Sequence, residues 1–201
     1  MEIYLIRHGE TDYNKRRIIQ GSGVDSSLND TGRAQGKAFY EAYKDVDFQT
    51  VITSKLQRTH QTAAGFIDAG LPWEQREEIN EMNWGVYEGK PGTPEMKTKY
   101  REMIEQWDKD NFDWSLEGGE SAADLAKRIS RFLEHLKTRT EDRLLVCTHG
   151  RAMRCIIALM KGKHLREMEN VAHANTGLYK VKLENGKFNI LIENDTAHLE
   201  K

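Results

Sequence analysis

An α/β fold with a mostly parallel central sheet flanked by helices is what this sequence predicts, and three observations carry that expectation. Short runs rich in Ile, Leu and Val recur along the chain, each run leads into a segment of helical period, and the last part of the sequence pairs two β-type runs around Glu184-Asn185-Gly186. With 201 residues and a formal charge of -2, one compact domain spanning residues 1–201 is expected. The near-balance of acids and bases gives no reason to expect nucleic acid or an anionic membrane surface as a partner.

Residues 3–6 have strand length and turn charged at Arg7. A helix is expected over 31–43, then a strand over 50–53, after which Ser54 is read only as the cap of a helix over 55–66 that aligns Leu56, Thr59, Ala63 and Phe66. Residues 90–117 break the alternation. They are charged, interrupted by Pro91, Gly92 and Pro94, and carry Trp107, Phe112 and Trp114, which reads as a small helical cap insertion with packing aromatics.

Ser121 and Asp124 form a capping-box pattern opening a helix to 136, with Leu125, Ile129, Phe132, Leu133 and Leu136 on one stripe. A strand over 144–148 precedes a buried helix over 152–160 that stops at Gly162. Residues 178–183 and 187–192 then make a C-terminal β-hairpin that adds an antiparallel edge.

Cys147 and Cys155 sit in neither a C-x-x-C nor a Cys/His cluster, so disulfide frameworks and zinc sites lack their signature and a reducing, cytoplasmic setting is expected. Residues 1–6 lack the basic and apolar regions of a signal peptide, and the apolar stretch 153–160 is too short to span a bilayer, so no membrane is expected.

In open α/β sheets, ligands bind beyond the carboxyl ends of the strands. Here those ends are Arg7-His8-Gly9-Glu10-Thr11, Ser54 with Arg58 one turn further, and His149-Gly150-Arg151. Two histidines and two or three arginines at one place suit a phosphoryl group, because guanidinium forks match phosphate oxygens and stay charged. A neutral imidazole can attack phosphorus, while the arginines and, if protonated, a second imidazole stabilise the equatorial oxygens. A carboxyl must still protonate the leaving oxygen and later accept a proton from water. Glu81, in a Gly-containing loop flanked by apolar residues, is the candidate, since partial burial there favours its protonated form. His60, His135, His164 and His198 are read as ordinary structural or surface residues.

Arg7-His8-Gly9-Glu10-Thr11 with Asn14, then Leu28-Asn29-Asp30-Thr31-Gly32-Arg33-Ala34-Gln35, then 54–62, then 81–89, then Cys147-Thr148-His149-Gly150 follow one another over nearly the whole chain. This series resembles the motifs of the histidine phosphatase superfamily, the phosphoglycerate-mutase-like group, in its small phosphatase branch. The resemblance implies that His8 is the phosphorylated nucleophile, that Arg7, Arg58 and His149 form the phosphate pocket, and that Glu81 is the proton donor and acceptor. Asn14, Gln20, Gly21 and Gly150 are implied as further phosphate or substrate contacts. It implies a metal-independent phosphomonoester hydrolase with no cofactor, acting on a small phosphorylated metabolite.

Two alternatives stand beside that reading. One is a phosphoglycerate-type phosphomutase, whose similar members are longer and close the site with extra segments. The other is a non-catalytic phosphate-binding module, which the presence of all five core residues disfavours. Cys147-Thr148 stands where valine and serine often precede the histidine, and 117–121 lacks the proline that often opens that loop, so the subgroup stays open. Sugar phosphates, phosphoglycerates, a ribazole phosphate and phosphoproteins are all compatible, with residues 20–27, 90–117 and 173–176 placed at the pocket rim.

Overall fold

The structure, a computed structural model, describes residues 1–200. Six strands form one sheet: β1 (Glu2–Arg7), β2 (Thr50–Thr53), β3 (Trp73–Gln75), β4 (Arg143–Thr148), β5 (Leu178–Glu184) and β6 (Lys187–Asp195), in the order β3-β2-β4-β1-β5-β6. The pairings among β3, β2, β4 and β1 are parallel, and β5 and β6 continue the sheet antiparallel. The division follows the connections. Parallel neighbours need helical crossovers, whereas the 178–195 segment folds back through Asn185 and Gly186, both at positive φ (52° and 72°), as a tight two-residue hairpin turn requires.

β1 and β4 are buried on both faces, which is why they read as unbroken apolar runs. Ile3 and Leu5 face one core with Leu125, Ile129 and Phe132 of α6 (Ala122–Lys137) and Ile156 of α7 (Gly150–Met160). Tyr4 and Ile6 face the other, with Phe39 of α2 (Asp30–Tyr43) and Phe66 of a short helix (Ala64–Asp68). The capping box at Ser121 forms as the sequence indicates, a contact worth about 1 kcal/mol.

Three expectations change. The helix expected over 55–66 is two pieces, Gln57–Thr62 and Ala64–Asp68, because the Thr59 and Thr62 hydroxyls donate back to the carbonyls of Leu56 and Arg58 and bend the chain there. Ser54 is not its cap. Leu56 holds the N-cap position, and Ser54 Oγ instead accepts from the Leu56 amide. The exposed edge strand β3, with residues Trp73-Glu74-Gln75, carries no apolar run and is not anticipated. Within 90–117 a helix does form, Pro94–Asp108, capped by Thr93 with proline in its first turn; Trp107 is buried and donates to the Trp114 carbonyl.

The register sets up the site. Arg7 lies beside Thr148 and Thr53 beside Cys147, so the next residues, His8, His149 and Ser54, emerge together at the carboxyl end of three adjacent strands.

Candidate active site

His8 is buried, its amide donates to the Thr148 carbonyl, and Asn175 Nδ2 donates to its carbonyl. Its ring is fixed by a 2.7 Å bond from Nδ1 to the Gly9 carbonyl. A carbonyl only accepts, so Nδ1 carries the hydrogen and Nε2 keeps its lone pair. Burial, then the Arg58 and Arg7 guanidinium groups, hold the imidazole pKa well below the ordinary 6.5, so the ring is neutral near pH 7.

His149 packs 5.2 Å from His8, centroid to centroid. Arg58 Nε donates to its Nδ1 at 3.1 Å, and its Nε2 lies 2.7 Å from Ser54 Oγ. Since the guanidinium only donates, Nδ1 is bare and Nε2–H points to Ser54. The protonation on which the sequence reading made this imidazole's charge depend is disfavoured: burial, then Arg58, push its pKa well below normal. Arg58 is itself fully buried, donating also to the carbonyls of Val24 and Gly21, and burial lowers its pKa to about 10, which leaves it charged. Three of its five N–H groups are committed to the protein, which leaves two.

Arg7 is held through Nη1, which donates to the His173 carbonyl at 2.9 Å and lies 3.2 Å from His173 Nδ1. Its Nε is buried with no partner. A buried N–H without an acceptor costs about 1–3 kcal/mol, and the space next to this one is left open by Gly150, whose missing Cβ would stand 3.5 Å from Arg7 Nε. Burial, then Arg7, hold His173 neutral, with its pKa lowered to about 4.

Glu81 is buried, though among donors and not apolar groups: the amides of Met82 (2.8 Å), Ala152 (3.1 Å) and Arg151 (3.1 Å) all reach its carboxylate. The last two amides belong to the first turn of α7, so the helix N-terminus holds the group in place. Arg128 clamps the same loop, donating to the carbonyls of Glu78, Asn80 and Glu81 while pairing in bidentate fashion with Glu120.

A cavity of about 710 Å³ brings Arg7, His8, Glu81, Asn14 and Gln20 to one wall. Asn14 Oδ1 accepts from Thr11, and the Gln20 amide spans Thr11 and Ser26, so both are held by protein contacts. Gly21 is required by close approach: a Cβ there would overlap the Glu88 carboxylate and the Met82 carbonyl. Arg58 and His149 are not on the cavity wall; they stand behind His8 with their polar atoms bonded to protein.

Sequence reasoning read Ser54 only as a helix cap, His173 only as part of the rim and Arg151 only as a third strand-end arginine, and assigned no role to Arg128. Arg151 donates to Tyr100 of the Pro94–Asp108 helix, pairs with Glu169, and lies 5.4 Å from the Trp84 ring. Its adjacency to His149-Gly150 was a visible signal; Arg128 offered none, because its partners are carbonyls. Among the described residues, no group of three or more His, Cys, Asp or Glu side chains is placed to hold a metal ion.

The sequence pattern described as "Histidine phosphatase superfamily (branch 1)" matches residues 3–196. The chain is 31% identical over 214 residues to the Yersinia enterocolitica protein named "Probable phosphoglycerate mutase GpmB", covering 100% of this chain and 95% of that one. It is 33% identical over 154 residues to the Danio rerio "Fructose-2,6-bisphosphatase TIGAR B", covering 74% of this chain and 56% of that one. In fold it superposes on the alpha-ribazole phosphatase of Shigella flexneri with a TM-score of 0.86, at 24% identity, over 97% of this chain and 96% of that one. Bacillus stearothermophilus YhfR gives a TM-score of 0.85 at 25% identity, with 98% of each chain covered. The chain belongs to the histidine phosphatase superfamily.

Proposed function

We propose that this protein is a phosphomonoester hydrolase working through a phosphohistidine on His8, with the whole chain 1–201 acting as a single catalytic domain on a small phosphorylated metabolite. The observation that carries this reading is the orphaned, buried Arg7 Nε beside an imidazole whose Nδ1 is committed and whose Nε2 is free. A phosphate oxygen would satisfy that N–H, with phosphorus then within reach of the nucleophile.

In the first step His8 Nε2 forms a bond to phosphorus, the phosphorus–oxygen bond to the alcohol breaks, and Glu81 gives its proton to the departing oxygen. In the second, water attacks phosphorus, Glu81 takes the water's proton, and the phosphorus–nitrogen bond breaks, restoring neutral His8. Nδ1–H keeps donating to the Gly9 carbonyl throughout, which stabilises the positive charge the ring carries while phosphorylated. Arg7 supplies the charge that stabilises the equatorial oxygens directly, and buried Arg58 adds its positive field from behind His8, with neutral His149 holding Arg58 in place. No metal or organic cofactor enters the scheme. Two buried free thiols, Cys147 and Cys155, suit the reducing cytoplasm, and among the described residues no helix is long and apolar enough to cross a membrane.

The test is capture of the intermediate. Rapid quenching during turnover of an aryl phosphate is expected to yield acid-labile phosphate on His8, and His8→Ala is expected to abolish both label and turnover. Near-normal turnover by His8→Ala would sink the mechanism. The name of the Yersinia relative keeps a phosphoglycerate-type mutase as a second reading. Isomerisation that depends on a bisphosphate activator, with slow phosphate release, would favour it.

A further inference from the structure

We propose that the alcohol half of the substrate is bulky and apolar, of the size of a six-carbon chain or an aromatic ring, and not a small carboxylated fragment. This deepens the hydrolase reading and rests on it. At about 710 Å³ the cavity beside His8 falls in the range that encloses a drug-sized molecule, several times what a phosphoryl group and a three-carbon fragment fill. Beyond Glu81 its wall is built from Ile18, Ile19, Trp84, Met96 and Ile104. The last two lie about two turns apart on one face of the Pro94–Asp108 helix.

A carboxylate next to the ester carbon would need a cation held there, and the buried candidates are already engaged. Arg7 belongs to the phosphate. Arg151 and Arg154, which line a smaller adjoining space of about 200 Å³, are both paired with Glu169. The cations on the large cavity, Arg17, Lys97 and Arg101, are solvent-exposed and carry no ion pair among the described residues. At those positions they raise the local concentration of a phosphate dianion more than they hold a second anion in a fixed place.

The experiment is a series of unbranched alkyl phosphates from ethyl to hexyl, whose leaving groups are nearly alike, run beside O-phosphoserine and 3-phosphoglycerate. Burial of each methylene is expected to raise kcat/KM by about fourfold, on the order of 10²-fold across the series. Ile104→Asn, and separately Ile19→Asn on another part of the wall, are expected to cut the hexyl-to-ethyl ratio by about tenfold. A flat series, or a higher kcat/KM for O-phosphoserine or 3-phosphoglycerate than for hexyl phosphate, would overturn the substrate class while leaving the hydrolase standing. Absence of phosphate release from every compound, with no phosphohistidine, would overturn both.

Discussion

The two walls of the cavity are built on opposite terms. On one, Arg7 and His8 stand at the end of β1, with Arg58 and His149 behind them on the segments that follow the adjacent strands, and each side chain is fixed by at least one named protein partner. On the other, the Pro94–Asp108 helix offers Met96, Tyr100 and Ile104 from a segment whose outer face is solvated and whose polar link to the body of the protein runs through Tyr100 and Arg151. Geometry needed for bond-making is over-determined, because a misplaced nucleophile loses orders of magnitude in rate. Geometry needed for recognising an alcohol is set by area and shape, which a single helix supplies and a few substitutions rewrite.

The contrast predicts that substitutions on the strand-end wall act on kcat and those on the helix act on KM. Glu81→Gln gives the largest expected effect after loss of the nucleophile: with an alkyl phosphate, turnover falls by roughly 10²- to 10⁴-fold. With an aryl phosphate the first step is nearly spared and phosphoenzyme accumulates, which quenched-flow measurement would reveal; equal slowing with no accumulation would remove Glu81 from the role of acid.

Arg128→Ala comes next, as a positioning change. It frees the loop carbonyls of Glu78, Asn80 and Glu81 and leaves Glu120 without its partner, so the alkyl-phosphate rate is expected to fall by about tenfold with KM little changed. Stability should drop by about 2 kcal/mol, discounted from a fully buried pair because both side chains keep some solvent contact. A purely structural Arg128 would lower the melting temperature without the leaving-group dependence.

The third expectation concerns pH. The folded pKa values of His8 and His149 lie well below 6.5 and that of His173 lies near 4, so below about pH 6.5 the unfolded chain binds protons that the folded chain refuses. Stability is therefore full above that pH and lost as pH falls through the window from about 6.5 to 4, at up to about 4 kcal/mol per pH unit if all three imidazoles contribute. Denaturant midpoints measured across that range check the sign. Within the stable range the aryl-phosphate rate should hold steady past pH 6.5, since His8 stays neutral there. The smallest effect is the last: exhaustive chelation is expected to leave turnover unchanged, and loss restored by a divalent ion would contradict the metal-free scheme.

The strand-end wall was legible in the sequence because short apolar runs announce where strands end, and the motif residues follow them directly. Arg7, His8, Arg58 and His149 were read that way, Glu81 from its Gly-containing loop, and the registers of β1 and β2 against β4 bring the strand-end residues together. Less legible were groups whose partners lie far along the chain and are plain carbonyls or amides. Arg128 reaches back 47 to 50 residues to carbonyl oxygens, and the donors around Glu81 are amides 70 and 71 residues away. The helix break at Ala63 was missed for a local reason: hydrophobic spacing ignores hydroxyl back-bonding. The neutral state of His149 follows only from seeing Arg58 Nε aimed at it.

β1, which carries Arg7 and leads into His8, is hydrogen-bonded along both edges, to β4 and to β5. Its amides can exchange with solvent deuterium only when the sheet itself opens, so their protection reports the global unfolding free energy. The Pro94–Asp108 helix is anchored by side chains, with Met103 and Trp107 in the core and Tyr100 on Arg151, and not by a strand ladder, so its opening is expected at lower free energy than that of the sheet. Occupied and empty protein would then differ in deuterium uptake along that helix and scarcely at all along β1, and isotope uptake would map where the alcohol sits without any knowledge of the reaction it undergoes.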